Sequence, residues 1–271
     1  MKSFVLAVAL AVPAVLAGNA VTCESLATIA LPNTTIAVAE SRPAGEFTPP
    51  GANPIANLPA FCRIAGSIKP SSDSDIRFEV WLPSSNWNRK FQGIGNGGYA
   101  GAIGFAGLAD AVRNGYASAS TDTGHQDGGT SAAWALNHPE KIVDFGHRAI
   151  HETAAGAKVI IRAFYGEGPK RSYFNSCSNG GRQALMEAQR YPADYDGIIA
   201  GAPANSWTHL LSAAASSVVA TLAEPENYIP AAKLPAIERA ALAQCDAADG
   251  VKDGVIENPL ALPLRPVGPA V

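Results

Sequence analysis

Apolar and polar residues alternate from Ile76 to Leu82 in IRFEVWLP, the period of a strand with one buried face, and Pro83 ends the run. KFQGIGNGGYAGAIG passes from a short strand into a glycine-rich turn, and GYASASTD, 115–122, predicts a second strand of small residues. In DFGHRAIHETAAGAKVIIRAFYG the apolar positions Ile150, Ala154, Ala157, Ile161 and Phe164 recur at helical spacing. RSYFNSCS predicts the next strand and NGGRQALMEAQRYP the helix after it. That helix is expected to turn Ala184, Leu185 and Ala188 inward and Arg182, Gln189 and Arg190 away, and to end at Pro192. YDGIIAGAP then predicts a short, buried parallel strand. Strands alternating with helices indicate an α/β fold, a sheet covered by helices on both faces. Residues 28–60, rich in Pro, Thr, Asn and Ala, read as irregular or edge structure. After Ser206 the chain becomes alanine-rich and helical, an Asp- and Gly-rich loop follows, and the four prolines of PLALPLRPVGPAV predict no element.

A chain of 271 residues can bury a sizeable core, and 47% hydrophobic residues suit a globular protein. The formal charge of −3 offers no basic field, so nucleic acid is not expected as a partner. Lys2, the apolar run Phe4 to Leu16 broken by Pro13, and the small residues of VLAGNA predict an export signal over 1–20, cut after Ala17 or Ala20. The run is shorter than the roughly 18 apolar residues of a membrane span. The mature protein is therefore expected outside the cytoplasm, extracellular or periplasmic, with no membrane partner; its oligomeric state is not legible. In an oxidising compartment Cys23, Cys62, Cys177 and Cys245 have three pairings open to them. The weakly periodic, proline-rich region around Cys23 and Cys62 is where a staple is expected.

Ser178 lies in Ser176-Cys177-Ser178-Asn179-Gly180, close to the Gly-x-Ser-x-Gly pattern of a nucleophile elbow, with Ser176 in place of the first glycine. Small neighbours let the backbone turn sharply from strand to helix and expose the hydroxyl near free helix N–H groups. The competing reading is a plain helix N-cap serine. GIGNGGYAG, Gly93 to Gly101, follows an earlier strand and can present a second amide donor. It also carries the letters of a dinucleotide fingerprint, without the acidic residue that such a site needs about twenty positions on. No organic cofactor is expected. His147 and His151, four apart on a helix, lack an evident third metal ligand and read as exposed polar-face residues.

CSNGGRQALMEAQRYPADYDGIIAGAPA, GNGGYAG and STDTGH together resemble the tannase and feruloyl esterase family of secreted α/β-hydrolases. The resemblance implies an α/β-hydrolase fold, with a mostly parallel central sheet, and hydrolysis of small aromatic-acid esters of the feruloyl or galloyl type. It implies Ser178 as nucleophile, with Asn179 and the Gly97–Gly98 turn as oxyanion donors. It also implies that Cys177 belongs to a bridge beside the nucleophile, whose other half lies next to the catalytic histidine. A lid is inserted in the family about where this chain changes character, so the expected domains are a core over 21–205 and the beginning of a lid over 206–271.

A serine needs a base, usually a histidine held by a carboxylate, and in this fold both follow the serine in the chain. After Ser178 only His209 is present, too early in the chain for that role. The resemblance places the acid and histidine beyond residue 271, so the chain reads as the N-terminal part of an esterase, itself with little or no turnover. The alternative is a catalytically inactive α/β-hydrolase-like fragment or binding protein. Cys177 and Cys245 then lack their partners, and the family's cysteine after GVIENP is missing from Leu260 to Leu264, which sets the tail apart from the pattern. CDAADGVKDGVIENP does not fit an EF-hand. The resemblance instead implies a structural calcium in the lid, held by carboxylates of Asp246, Asp249 and Asp253 and carbonyls of Val251 and Val255.

Overall fold

The computed structural model describes residues 21–259. The expected export signal and the proline-rich tail from residue 260 lie outside the described residues. Seven strands form the main sheet: β1 (Thr34–Arg42), β4 (Phe61–Ile68), β5 (Ile76–Pro83), β7 (Ala117–Thr121), β6 (Lys90–Ile94), β8 (Arg171–Cys177) and β9 (Gly197–Gly201), in that spatial order. The ladders from β1 to β7 are antiparallel, and those joining β7, β6, β8 and β9 are parallel. It follows that β4 and all four strands from β6 to β9 point one way, with only β1 and β5 opposed, the mostly parallel sheet that the sequence predicts. A separate ribbon pairs β2 (Gly45–Phe47) with β3 (Ile55–Leu58).

Side chains alternate between two cores. On one face Val80, Leu82, Phe91, Ala119 and Phe174 pack under α3 (Ala149–Tyr165), whose Ile150, Ala154, Ala157 and Ile161 are buried as their spacing predicts. On the other, Phe61, Trp81 and Ile94 pack against Leu108, Ala109 and Val112 of α1 (Phe105–Arg113). Interior strand β5 is therefore covered on both sides, and its polar Glu79 is only 2% exposed, not the solvent-facing position that alternation suggests. The buried carboxylate is held by Arg63, whose Nε donates to it at 3.0 Å, and by the Trp81 indole N–H at 2.7 Å.

Cys23 and Cys62 form a disulfide that ties the N-terminal turn to β4, as expected. A short helix, α2 (Pro139–Val143), leads through one wide turn of π-helix, Asp144–Arg148, into α3. Helix α4 (Asn179–Arg190) follows β8 on the α3 side of the sheet. Two expectations need correction. Strand β9 has only β8 as a neighbour among the described residues, so Ile199 is 62% exposed where a buried strand was anticipated. On α4, Leu185 and Ala188 are exposed, while Arg182, Gln183, Ala184 and Glu187 are buried. Its inner face is polar because it meets backbone carbonyls and a polar loop there, which hydrophobic spacing alone does not reveal. From Ser206 a second compact unit begins, containing α5 (Trp207–Leu222) and α6 (Leu234–Cys245).

Candidate active site

Ser178 stands between the last residue of β8 and the first of α4, with φ 61° and ψ −122°. A non-glycine residue held there stores on the order of 1–3 kcal/mol of backbone strain, sustained only if its surroundings fix it. They do: the Ser178 N–H donates to the Gly201 carbonyl at 3.0 Å, and its carbonyl accepts from Ala204 at 3.0 Å and Arg182 at 3.1 Å. Neighbouring side chains are excluded for steric reasons. A methyl at Gly181 would lie 2.5 Å from Gly201 O and 2.7 Å from Pro203 Cα, and one at Gly180 would lie 1.9 Å from Ser176 Oγ. Ser176, the departure from the elbow pattern, is accommodated because both Gly180 and Gly95 lack a side chain where its hydroxymethyl sits.

The side chain of Ser178 is exposed, and it makes no capping bond to α4 although it occupies the N-cap position. Among the described residues no hydrogen bond engages its hydroxyl, so the plain N-cap reading does not describe it. Asn179, as first residue of α4, has a backbone N–H with no partner inside the helix. The glycine turn follows β6. Ala100 N–H donates to Gly97 O at 2.9 Å, and Tyr99 N–H to Gly129 O at 2.8 Å. Gly98 has φ +58°, and a methyl there would meet Gly129 O at 2.4 Å. The next helix begins only at Phe105, so this run opens no helix onto a phosphate as a dinucleotide site would.

The histidines of the core are all engaged away from Ser178. The His125 ring lies 2.7 Å from Tyr99 O and stacks on Trp134, and burial pushes its pKa down. His138 pairs with Asp73. His147 and His151 are not the exposed polar-face residues anticipated: they are half-buried, bonded to the Tyr191 hydroxyl at 2.7 Å and the Asp194 carboxylate at 2.6 Å. The segment after α4 folds back against α3, which a helical wheel does not show. His209 is exposed on α5. Cys177, exposed, and Cys245, buried, are free thiols.

The acidic loop after α6 turns back on itself through Gly250 and Gly254, at φ +96° and +82°. Asp246 accepts N–H bonds from Asp253 and Gly254, Asp249 from Val251, and Asp253 from Val255. Among the described residues no three Asp, Glu, His or Cys side chains gather as a metal cage. In this conformation the amides of Val251, Asp253, Gly254 and Val255 take carboxylate oxygens of the same loop.

The family model for tannase and feruloyl esterase matches residues 62–266. The chain belongs to the tannase and feruloyl esterase family. An uncharacterized esterase of Xanthomonas campestris is 46% identical over 237 residues, 88% of this chain and 41% of that protein. A relative from Aspergillus terreus, named probable feruloyl esterase B-1, is 40% identical over 200 residues, 73% of this chain and 37% of its own length. The crystal structure of feruloyl esterase B from Aspergillus oryzae superposes with a TM-score of 0.81 at 35% identity, covering 88% of this chain and 48% of that one. Tannin acyl hydrolase from Aspergillus niger gives 0.62 at 27% identity, covering 83% and 43%. The chain thus spans less than half the length of these relatives. The fold is the α/β-hydrolase arrangement that the motifs implied, in a family of carboxylic-ester hydrolases.

Family motifs pointed to the serine and the glycine turn but not to what joins them. Helical spacing turned Arg182 outward and gave Asn96 and Gln183 no role, yet all three lie between the two segments. Arg182, 8% exposed, donates to Asn179 Oδ1 at 2.7 Å and to the carbonyls of Phe145 and Gly146 in the π-helical turn, and burial lowers its pKa to about 10. A signal existed in the sequence: the GGRQ run puts two long polar side chains directly after two glycines that must be packed.

Proposed function

We propose that this chain carries the nucleophile of a serine carboxylic-ester hydrolase acting on aromatic-acid esters of the feruloyl or galloyl type. The observation that carries the reading is the exposed, unengaged Ser178 hydroxyl on a strained strand-to-helix turn beside the first N–H of α4. Ser178 Oγ adds to the ester carbonyl carbon while its proton passes to a general base. The oxyanion is met by amide N–H groups of Asn179 and of Gly97 or Gly98. Collapse expels the alcohol, which takes that proton, and leaves acyl-Ser178. Water then attacks the acyl carbon by the same route and frees the acid and the serine. The base and its carboxylate are assigned to segments outside the described residues, since no histidine among the described residues is hydrogen-bonded to Ser178.

Residues 206–271 are assigned to the start of a lid, and Asp246, Asp249, Asp253, Val251 and Val255 to a structural calcium loop. Support for the loop is three carboxylates within eight residues and the two glycine turns that fold it. Export is supported by the Cys23–Cys62 disulfide, of a kind that persists in oxidising compartments, and by the leader pattern over 1–20. No helix among the described residues is long and apolar enough to cross a membrane.

The test is hydrolysis of a chromogenic aryl ester, and of methyl ferulate and methyl gallate, by the longest reading frame containing this chain. Ser178→Ala is expected to abolish turnover, and retention of full activity in that variant refutes the assignment. Residues 21–271 alone are expected to turn over little or nothing; if they hydrolyse the ester in a Ser178-dependent way, the expected need for outside residues is wrong. An inactive binding protein, the second reading, predicts no turnover from the longest frame either.

A further inference from the structure

Gln183 is 2% exposed in the second turn of α4, a long amide placed where burial without partners is costly. Its Nε2 donates to Asn96 Oδ1 at 2.6 Å, and its Oε1 accepts the Asn96 backbone N–H at 3.2 Å. The orientation is forced. Asn96 Nδ2 faces two carbonyls, Thr121 O at 2.9 Å and Ala102 O at 3.2 Å, so Asn96 Oδ1 must face the Gln183 amide nitrogen. Asn96 O in turn accepts from Asn179 Nδ2 at 3.3 Å, and Arg182 holds the other end of the Asn179 side chain. Every polar group of Asn96 is thereby bonded, to α4, to the end of β7 and to the loop leading into α1. Gly95 is what admits the clasp: a methyl there would sit 2.6 Å from Gln183 Oε1.

Asn96 immediately precedes Gly97 and Gly98. These glycines have the freest backbones available, and nothing lies within 4 Å of where a Gly97 side chain would be. Downstream, the turn is anchored again at Tyr99, by Gly129 O on its N–H and His125 on its carbonyl. The two glycines are therefore held between fixed posts, and the upstream post is bolted to the helix that carries Asn179. Oxyanion donors stabilise a developing charge only at about 2.7–3.1 Å from it, and a displacement of about 1 Å can cost about 100-fold.

We propose that Gln183 is the positioning residue of the oxyanion site, setting through Asn96 the spacing between the Gly97–Gly98 amides and that of Asn179. The assignment rests on the ester-hydrolase reading above. Two measurements test it. Amide hydrogen exchange on the chain with Gln183→Met, which matches the side chain in size but cannot clasp, is expected to speed up at least about tenfold over Gly97–Ala100 while the later turns of α4 are unchanged. Unchanged exchange in the turn overturns the proposal. In the longest reading frame, kcat for a chromogenic aryl ester is expected to fall about 10- to 100-fold with KM within about twofold, because the donors act on the transition state. Gln183→Glu keeps an acceptor for the Asn96 N–H but turns the donor into an oxygen facing Asn96 Oδ1, so a kcat loss is expected here too; it also serves if the methionine variant does not fold. Wild-type kcat in both variants, or a loss shared equally by KM, overturns the proposal and leaves the esterase reading intact. Activity that survives Ser178→Ala, or a wild type without turnover, overturns the esterase reading and the catalytic role of the clasp with it.

Discussion

Replacing Gly180 by alanine sets a methyl 1.9 Å from Ser176 Oγ and 2.5 Å from Ser176 Cβ, with the next atom, Asn96 O, at 3.3 Å. The collision is with one side chain, and its Cβ cannot rotate away. Overpacking of this kind costs about 1–3 kcal/mol. Ser176→Gly removes both offending atoms and by itself costs about 0.5–1 kcal/mol through the freedom that glycine gains in the unfolded chain. In that background the alanine keeps only the tight 3.3 Å contact with Asn96 O, which the turn relieves by yielding a few tenths of an ångström, while its better helix propensity in the first turn of α4 contributes up to about 1 kcal/mol. The effect of Gly180→Ala is thus expected to fall from clearly destabilising to near neutral, with a coupling of at least about 1 kcal/mol. Urea unfolding of wild type, both single variants and the double variant measures it. Gly181→Ala is the control, since its collision is with the backbone at Gly201 and Pro203 and Ser176→Gly does not relieve it. Additivity of the Gly180 and Ser176 changes within about 0.3–0.5 kcal/mol refutes the packing account of the elbow.

Reducing the Cys23–Cys62 bond, which closes a separation of 39 residues, is expected to destabilise the chain by about 4 kcal/mol on the chain-entropy model, read as a lower urea midpoint in dithiothreitol. Glu79→Ala leaves the Arg63 guanidinium buried without its main partner and is expected to cost about 3–5 kcal/mol, whereas loss of exposed pairs such as Arg171–Asp196 costs under about 1. Burial raises the Asp122 carboxyl to about 7 against the partial compensation of N–H bonds from Gly124 and Arg77. The folded state then holds a proton that the unfolded chain releases near 4, so this group's stabilisation is present at low pH and is lost as pH rises toward 7. Compared with Asp122→Asn, wild type is expected to lose up to about 1.4 kcal/mol per pH unit across that window, and a pH-independent difference in urea midpoints sinks the idea. A calcium titration followed by thermal melting is expected to stabilise the chain, and Asp246→Asn to weaken that response; melting unmoved by millimolar calcium removes the loop assignment.

Alternation, helical spacing and glycine placement were enough to locate β5, β7, β8, α3 and α4, because local periodicity reflects which side of an element meets apolar neighbours. The same residues pointed to Ser178, since only small neighbours permit so tight a turn, and composition marked the change of character at Ser206. Tertiary structure decided what periodicity does not encode. It made the inner face of α4 polar, since Arg182 and Gln183 find carbonyls and an asparagine from segments far off in sequence. It turned His147 and His151 toward Tyr191 and Asp194, buried Glu79 beside Arg63, and left Ile199 exposed on a strand with a single neighbour. A buried polar side chain is stable only with its partner, and that partner is chosen by which distant segments the sheet brings together. The elbow was therefore legible from a dozen consecutive residues, whereas the clasp between Gln183 and Asn96 exists only once β6 and β8 lie side by side.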